Sequence, residues 1–252
     1  MSENNPAKKR YFEAAPPGID VDNFKKVVQS RRSVRKFTDK PIPKEILDDC
    51  LDMALLAPNS SNLQPWTFYI VKTESKKKVI VKACLNQWAA RTAAELIVCV
   101  ARTDRINQMA KLNIQEFPFP EIPPLVKRYY TYIPINYKTG YFNALGNFKK
   151  VTFSLARQFG KQLPVSSFKP EDSILWASKT TALACENLVL ALRAHGFDSC
   201  MMEGFDEPLV RKTLGLNDQQ YPIMVIGAGE RAEDGVFFPQ YRFERNLFIQ
   251  EV

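Results

Sequence analysis

The chain of 252 residues contains a single histidine, His195. Because it precedes Gly196 at the end of a helical pattern, it reads as a helix cap and not as the base of a Ser-His-Asp triad, and a histidine-rich metal site cannot be assembled. Its five cysteines, at positions 50, 84, 99, 185 and 200, form no Cys-x-x-Cys pair, and an odd number cannot all be joined within one chain. Most lie in apolar stretches and read as reduced core residues. Long apolar runs are missing as well. The longest, Leu96 to Ala101, falls far short of the about 20 residues that span a bilayer. The polar N-terminus, Met1 to Lys9, leads into no apolar segment, so a secretory leader is not expected and a cytoplasmic location is. No RNA-binding aromatic motif or helix-turn-helix spacing accompanies the net charge of +8, so neither nucleic acid nor a membrane is expected as a partner.

What is present is an ordinary globular composition, 45% apolar and 25% charged. A chain of this length can bury roughly 70% of its unfolded surface. Residues 1–20, with Pro6, Pro16, Pro17 and Gly18, are expected to be a flexible extension, and 21–252 the folded domain. Helices are predicted from an Asp22 cap through Phe24, Val27 and Val28, from Pro43 to Leu55, and over Ser75–Ala90. A further one runs over Pro170–His195, where His195 before Gly196 would cap the terminus, and another from Asp206 to Gly215. Strands are predicted at Thr67–Val71, Leu96–Ala101, Ser199–Met202 and Ile223–Ile226. The segment from about 104 to 165 is so rich in Phe and Tyr that a helical cap over a cavity is expected there rather than a disordered linker. The apolar tail ending in Leu247-Phe248-Ile249 has to pack somewhere, and a partner subunit is a natural place.

Three stretches carry chemistry. In Arg31-Arg32-Ser33-Val34-Arg35, alternate residues of an extended segment face one side, so two guanidiniums and a hydroxyl converge on an anion. Alone, such a stretch also fits a solvated surface. The loop Pro58-Asn59-Ser60-Ser61-Asn62-Leu63-Gln64-Pro65-Trp66 offers amides and hydroxyls to its own turns or to a ligand. Gly227-Ala228-Gly229-Glu230-Arg231-Ala232 spells a dinucleotide fingerprint, yet too little chain follows to complete the βαβ unit, and it is read as a decoy.

The arginine stretch, the loop from Ala57 to Trp66, the segment Glu203-Gly204-Phe205-Asp206 and Arg242 in the tail together resemble the FMN-dependent nitroreductase family in order and spacing. The resemblance covers about residues 22–104 and 170–250. It implies an α+β fold, nitroreductase-like, with a mainly antiparallel central sheet flanked by helices, in an intertwined homodimer. It further implies two FMN sites at the subunit interface and reduction of nitroaromatic or quinone-type acceptors by NAD(P)H in a ping-pong sequence. Arg31, Ser33 and Arg242 would hold the FMN phosphate, with Arg32 beside them, and Arg35 would reach the ribityl chain or pyrimidine edge. Pro58, Asn59, Ser60 and Asn62 would come from the other subunit. Asn86 matches an amide used on the ring, and Met202, Glu203 and Gly204 complete the cofactor-binding set, the last two through backbone near N5.

The chain departs from the family pattern at Met201-Met202, where many members carry a proline, and at Ala89, where some carry a lysine. The cofactor carries the chemistry, so no catalytic side chain is required. Two alternatives share the fold: an FMN-dependent reductive dehalogenase and a flavin-sequestering protein.

Overall fold

The structure, a computed structural model, describes residues 13–163 and 166–252. Most of the expected extension, residues 1–12, lies outside the described part, while 13–20 run exposed and irregular into the first helix. Its centre is one sheet of four strands, β1 (Trp66–Ile70), β2 (Glu95–Arg102), β3 (Asp198–Met202) and β4 (Gln220–Gly229), in the order β1-β2-β4-β3 with every neighbour antiparallel. The antiparallel α+β architecture implied by the resemblance is what the chain adopts.

Period-two alternation puts the two faces of β2 into two cores. Leu96, Val98 and Val100 face one way, joining Ile80, Ala83 and Val210 from the helices α3 (Glu74–Ala83) and α9 (Glu207–Leu214). Ile97 and Cys99 face the other, against Leu188 and Leu192 of α8 (Pro170–Ala194) and Leu47, Cys50 and Ala54 of α2 (Lys44–Leu55). A sheet covered on both faces explains why its central strand reads as an unbroken apolar run. Pro222 sits beside a bulge between Cys99 and Val100, the kind of strand position that tolerates a residue without an N–H.

Several helix boundaries differ from the sequence reading. The first helix, α1 (Val21–Ser30), is capped by Asp20, whose Oδ1 accepts from the N–H groups of Asp22 (2.9 Å) and Asn23 (3.0 Å); Asp22 is already in the first turn. Pro43 stands at the N-cap of α2 rather than inside it. The helix expected over Ser75–Ala90 is two helices, α3 and α4 (Trp88–Thr92), because Leu85 and Asn86 take left-handed backbone with φ of 57° and 54°. His195 does end α8, and its Nε2 meets Asp49 Oδ2 at 2.6 Å. The last strand reaches Gly229, so the fingerprint glycines are strand residues. A Cβ at Gly227 would come 2.8 Å from the Ala89 carbonyl oxygen, which makes this glycine a close-approach position and not a phosphate loop.

The aromatic insert is helical, as expected: α5 (Ile106–Gln115), α6 (Pro124–Tyr137) and α7 (Ala144–Gln158). A small core of Leu63, Ile106, Ala110 and Ile133 joins it to the loop after α2. Buried Lys149 on α7 donates to the carbonyls of Ile135 (3.2 Å), Asn136 (2.9 Å) and Lys138 (2.8 Å), closing the C-terminal end of α6 with a cation. Burial depresses its ammonium below the ordinary lysine range. No helix among the described residues is long and apolar enough to cross a membrane.

Candidate functional site

The basic stretch is held open as extended chain between two partners. On one side Val34 N–H donates to the Ser199 carbonyl on β3 at 3.0 Å; on the other, Arg35 N–H donates to the Gly235 carbonyl at 2.7 Å. Val34 points into the core at 0% exposure, so its neighbours Ser33 and Arg35 project from the opposite, exposed side of the segment. Gly235 is required by that close threading, since a Cβ there would lie 2.5 Å from the Lys36 carbonyl oxygen.

Behind the strand lies an ion cluster. Asp198, 3% exposed at its side chain, accepts from Arg231 (2.7 and 3.0 Å) and Arg193 (2.8 Å), and Arg231 also reaches the Ser30 carbonyl at 3.5 Å. It ties the end of α8, β3 and the loop after β4 to the residue just before Arg31. A buried carboxylate with two guanidiniums is a rigid support for the segment in front of it.

The result is a cleft of about 560 Å³ lined by Arg31, Arg32, Ser33 and Arg35 on one side and residues 236–242 on the other, with Gln87, Trp88 and Ala89 at the end of the α3–α4 turn. Its volume is in the range of small-molecule sites. Arg242 enters from the tail, and Arg32 pins that tail by donating to the Phe238 carbonyl. Among the described residues no carboxylate lines the cleft, and Arg31, Arg35 and Arg242 make no ion pair. The field of Arg35 and Arg31 extends to β3: burial pushes the Cys200 thiol up, and those two guanidiniums pull against it. Trp88 stands half-exposed with Lys36 Nζ 5.0 Å and Arg91 Cζ 4.8 Å from its ring. Guanidiniums, a hydroxyl and aromatic walls without a carboxylate fit a phosphate monoester that carries a flat ring. No group of three or more metal-binding side chains occurs among the described residues.

Arg31, Arg32, Ser33, Arg35 and Arg242, from opposite ends of the chain, are thus brought together. The other expected residues are placed differently. Asn59 Oδ1 accepts from Gln64 N–H at 3.0 Å, and Asn62 exchanges hydrogen bonds with Asn113 of α5, each 2.9 Å. Ser60 lines a second cavity of about 980 Å³ with Tyr137 and Trp176, between the insert and α8. Within one chain Pro58, Asn59, Ser60 and Asn62 are therefore not in the arginine cleft.

Asn86 is exposed in the left-handed turn and does not line the cleft. The amide that does is Gln87, whose Nε2 donates to the Gly204 carbonyl at 3.0 Å and so braces the exposed Glu203-Gly204 backbone. The cue was in the sequence, two amides beside an indole, but only the turn decides which one faces inward. Met202 is 3% exposed and belongs to the core with Cys200, so its side chain is not offered to the cleft. The lining residues not anticipated are Gln87, Trp88, Ala89 and Val236 to Tyr241.

Comparison with known proteins identifies the family. The chain is 26% identical over 227 residues to the Bacillus subtilis protein YdgI, named for NAD(P)H nitroreductase activity, covering 89% of this chain and 95% of that one. It is also 26% identical to the chloronitrobenzene nitroreductase of Comamonas testosteroni, with 81% and 84% covered. An Exiguobacterium sibiricum protein solved in complex with FMN superposes with a TM-score of 0.65 at 21% identity, covering 91% of this chain and 97% of that one. The sequence profile of the nitroreductase family matches residues 28–230, from the helix before the arginine strand to the strand end behind it, and the chain belongs to that family.

Proposed function

We propose that the protein is an FMN-dependent oxidoreductase that uses NAD(P)H to reduce nitroaromatic or quinone-type acceptors. The observation that carries this reading is the convergence of Arg31, Arg32, Ser33, Arg35 and Arg242 in one cleft without a carboxylate. Bound FMN supplies two-electron transfer between nicotinamide and acceptor. The protein's part is to bind, orient and charge the pocket. Ser33 and the arginines hold the phosphate end by charge-assisted hydrogen bonds. The Gln87 amide fixes the 203–204 backbone, and Trp88 with the aromatic tail residues excludes water. Unpaired guanidiniums favour whichever state of a bound group carries more negative charge. In a homodimer, the loop of Pro58, Asn59, Ser60 and Asn62 completes the partner's site.

The test is flavin titration of the apoprotein. A charge-assisted bond contributes about 1.5–3 kcal/mol, so Arg242→Ala weakens FMN binding by roughly tenfold to 150-fold. Unchanged affinity removes the tail from the site. Steady-state rates with NADH or NADPH against a nitro, a quinone and a halogenated acceptor give parallel double-reciprocal lines if both substrates use one pocket in turn. Intersecting lines refute the shared pocket.

A further inference from the structure

Arg32 stands apart from the other guanidiniums of the cleft. In the extended segment it lies on the side of Val34, whose side chain is fully buried, while Ser33 and Arg35 project from the opposite side. Where its neighbours face the open cleft, Arg32 donates from Nη2 to the Phe238 carbonyl.

That bond is the last one joining the tail to the rest of its chain. Upstream of it the tail is fastened to the same segment: Arg35 N–H donates to the Gly235 carbonyl at 2.7 Å, Ala232 N–H to the Lys36 carbonyl at 3.2 Å, and Lys36 pairs with Asp234. Beyond Phe238, every hydrogen bond among the described residues stays within the tail. Arg242 Nη1 donates to the Tyr241 carbonyl at 2.7 Å, and the N–H groups of Leu247, Phe248 and Ile249 close one short turn on the carbonyls of Glu244 and Arg245. Residues 237–252 are all exposed, so burial against their own chain does not hold them either. Pro239 follows the clasped residue directly. Its ring fixes its own φ and keeps Phe238 extended, so the position of the Phe238 carbonyl sets the course of the residues leading to Arg242.

We propose that Arg32 is a positioning residue that acts on FMN through the tail: by clasping Phe238 it presents Arg242, four residues on, to the phosphate. The proposal rests on the reading of the cleft as an FMN site. It divides the work of the arginines. Arg31 and Arg35 stand on the body of the domain, whereas Arg242 is brought by the tail. Without the clasp the nearest fixed point is the Gly235 carbonyl, and the tether to Arg242 lengthens from four residues to seven. Lengthening alone lowers the local concentration of that guanidinium about twofold, and the course set through Pro239 is lost as well.

The experiment is a double-mutant cycle on FMN affinity, titrating the apoprotein of the wild type, Arg32→Ala, Arg242→Ala and the double variant. Arg32→Ala weakens binding by at least about threefold and by no more than Arg242→Ala does. In the Arg242→Ala background the same replacement has no further effect. The urea midpoint of the apoprotein is the same for the wild type and Arg32→Ala, because only a terminal segment is released. Losses that multiply in the double variant place Arg32 on the phosphate itself and overturn the proposal. A lowered midpoint for Arg32→Ala assigns the residue to the fold and overturns it too. So does wild-type affinity in Arg32→Ala, which would mean that the tail is held by something other than this bond. A wild type that takes up no FMN refutes the flavin reading and this role with it, whereas a wild type that binds FMN with multiplying losses refutes this role alone.

Discussion

Replacing Asp198 tests whether the arginine cleft is held from behind. Its carboxylate is nearly inaccessible and serves two guanidiniums, so Asp198→Ala leaves Arg193 and Arg231 facing each other without a counter-charge. Removing one partner of a buried ion pair costs about 3–5 kcal/mol. Here Arg193 and Arg231 are 24% and 34% exposed at their side chains and regain part of their hydration. The expected loss is therefore about 2–3 kcal/mol. With a urea slope of about 3 kcal/mol/M for a chain this long, the unfolding midpoint falls by roughly 0.7–1 M.

A second readout separates support from mere stability. Arg231 reaches Ser30 as well as Asp198, whereas among the described residues the Arg193 side chain hydrogen-bonds Asp198 alone. Arg231→Gln should therefore weaken FMN binding more than Arg193→Gln at equal loss of stability. A midpoint shift for Asp198→Ala under about 0.3 M, or identical flavin affinities for the two arginine variants, would refute the reasoning.

Gly235→Ala places a methyl 2.5 Å from the Lys36 carbonyl oxygen and 2.9 Å from that of Ala232. The strand of Arg35 has to move, at a cost of about 1–3 kcal/mol, and FMN titration should show at least tenfold weaker binding. Asp104 gives a pH dependence. Burial alone would raise its carboxyl, but the Arg102 fork (2.7 and 2.6 Å) and Gln220 hold it below the ordinary range. Its stabilising contribution is full above the unfolded value of about 3.9 and disappears as pH falls through the folded one. Between about pH 5 and 3 the wild type should thus lose more stability than Asp104→Asn, and equal slopes would contradict this. All five cysteines are buried, with burial pushing the Cys50 thiol up to about 12 and that of Cys84 to about 11. A thiol reagent at pH 8 should titrate none in the native protein and all five in denaturant.

What could be read from the sequence, and what could not, follows from which interactions decide each feature. The Pro170–His195 helix and the strand at Leu96–Ala101 were legible because local periodicity and burial agree there. The Arg31–Arg35 alternation was legible because an extended segment has only two faces. The break at Leu85-Asn86 was not. It is set by contacts distant in sequence, Asp206 N–H on the Ala83 carbonyl (2.8 Å) and Gln87 on Gly204 (3.0 Å), which override helix propensity. That turn also exchanges Asn86 for Gln87 at the cleft. The choice of Asp20 over Asp22 as cap rests on one residue of register between equivalent side chains, which no pattern resolves.

The central claim is that the clustered guanidiniums exist to bind FMN. The visible spectrum of the purified protein, recorded before and after anaerobic addition of NADH or NADPH, tests it most directly. The account predicts a yellow protein whose flavin absorbance bleaches on adding at least one of the two nicotinamides and returns on adding a nitroaromatic or quinone. A colourless protein that takes up no FMN on titration would contradict it.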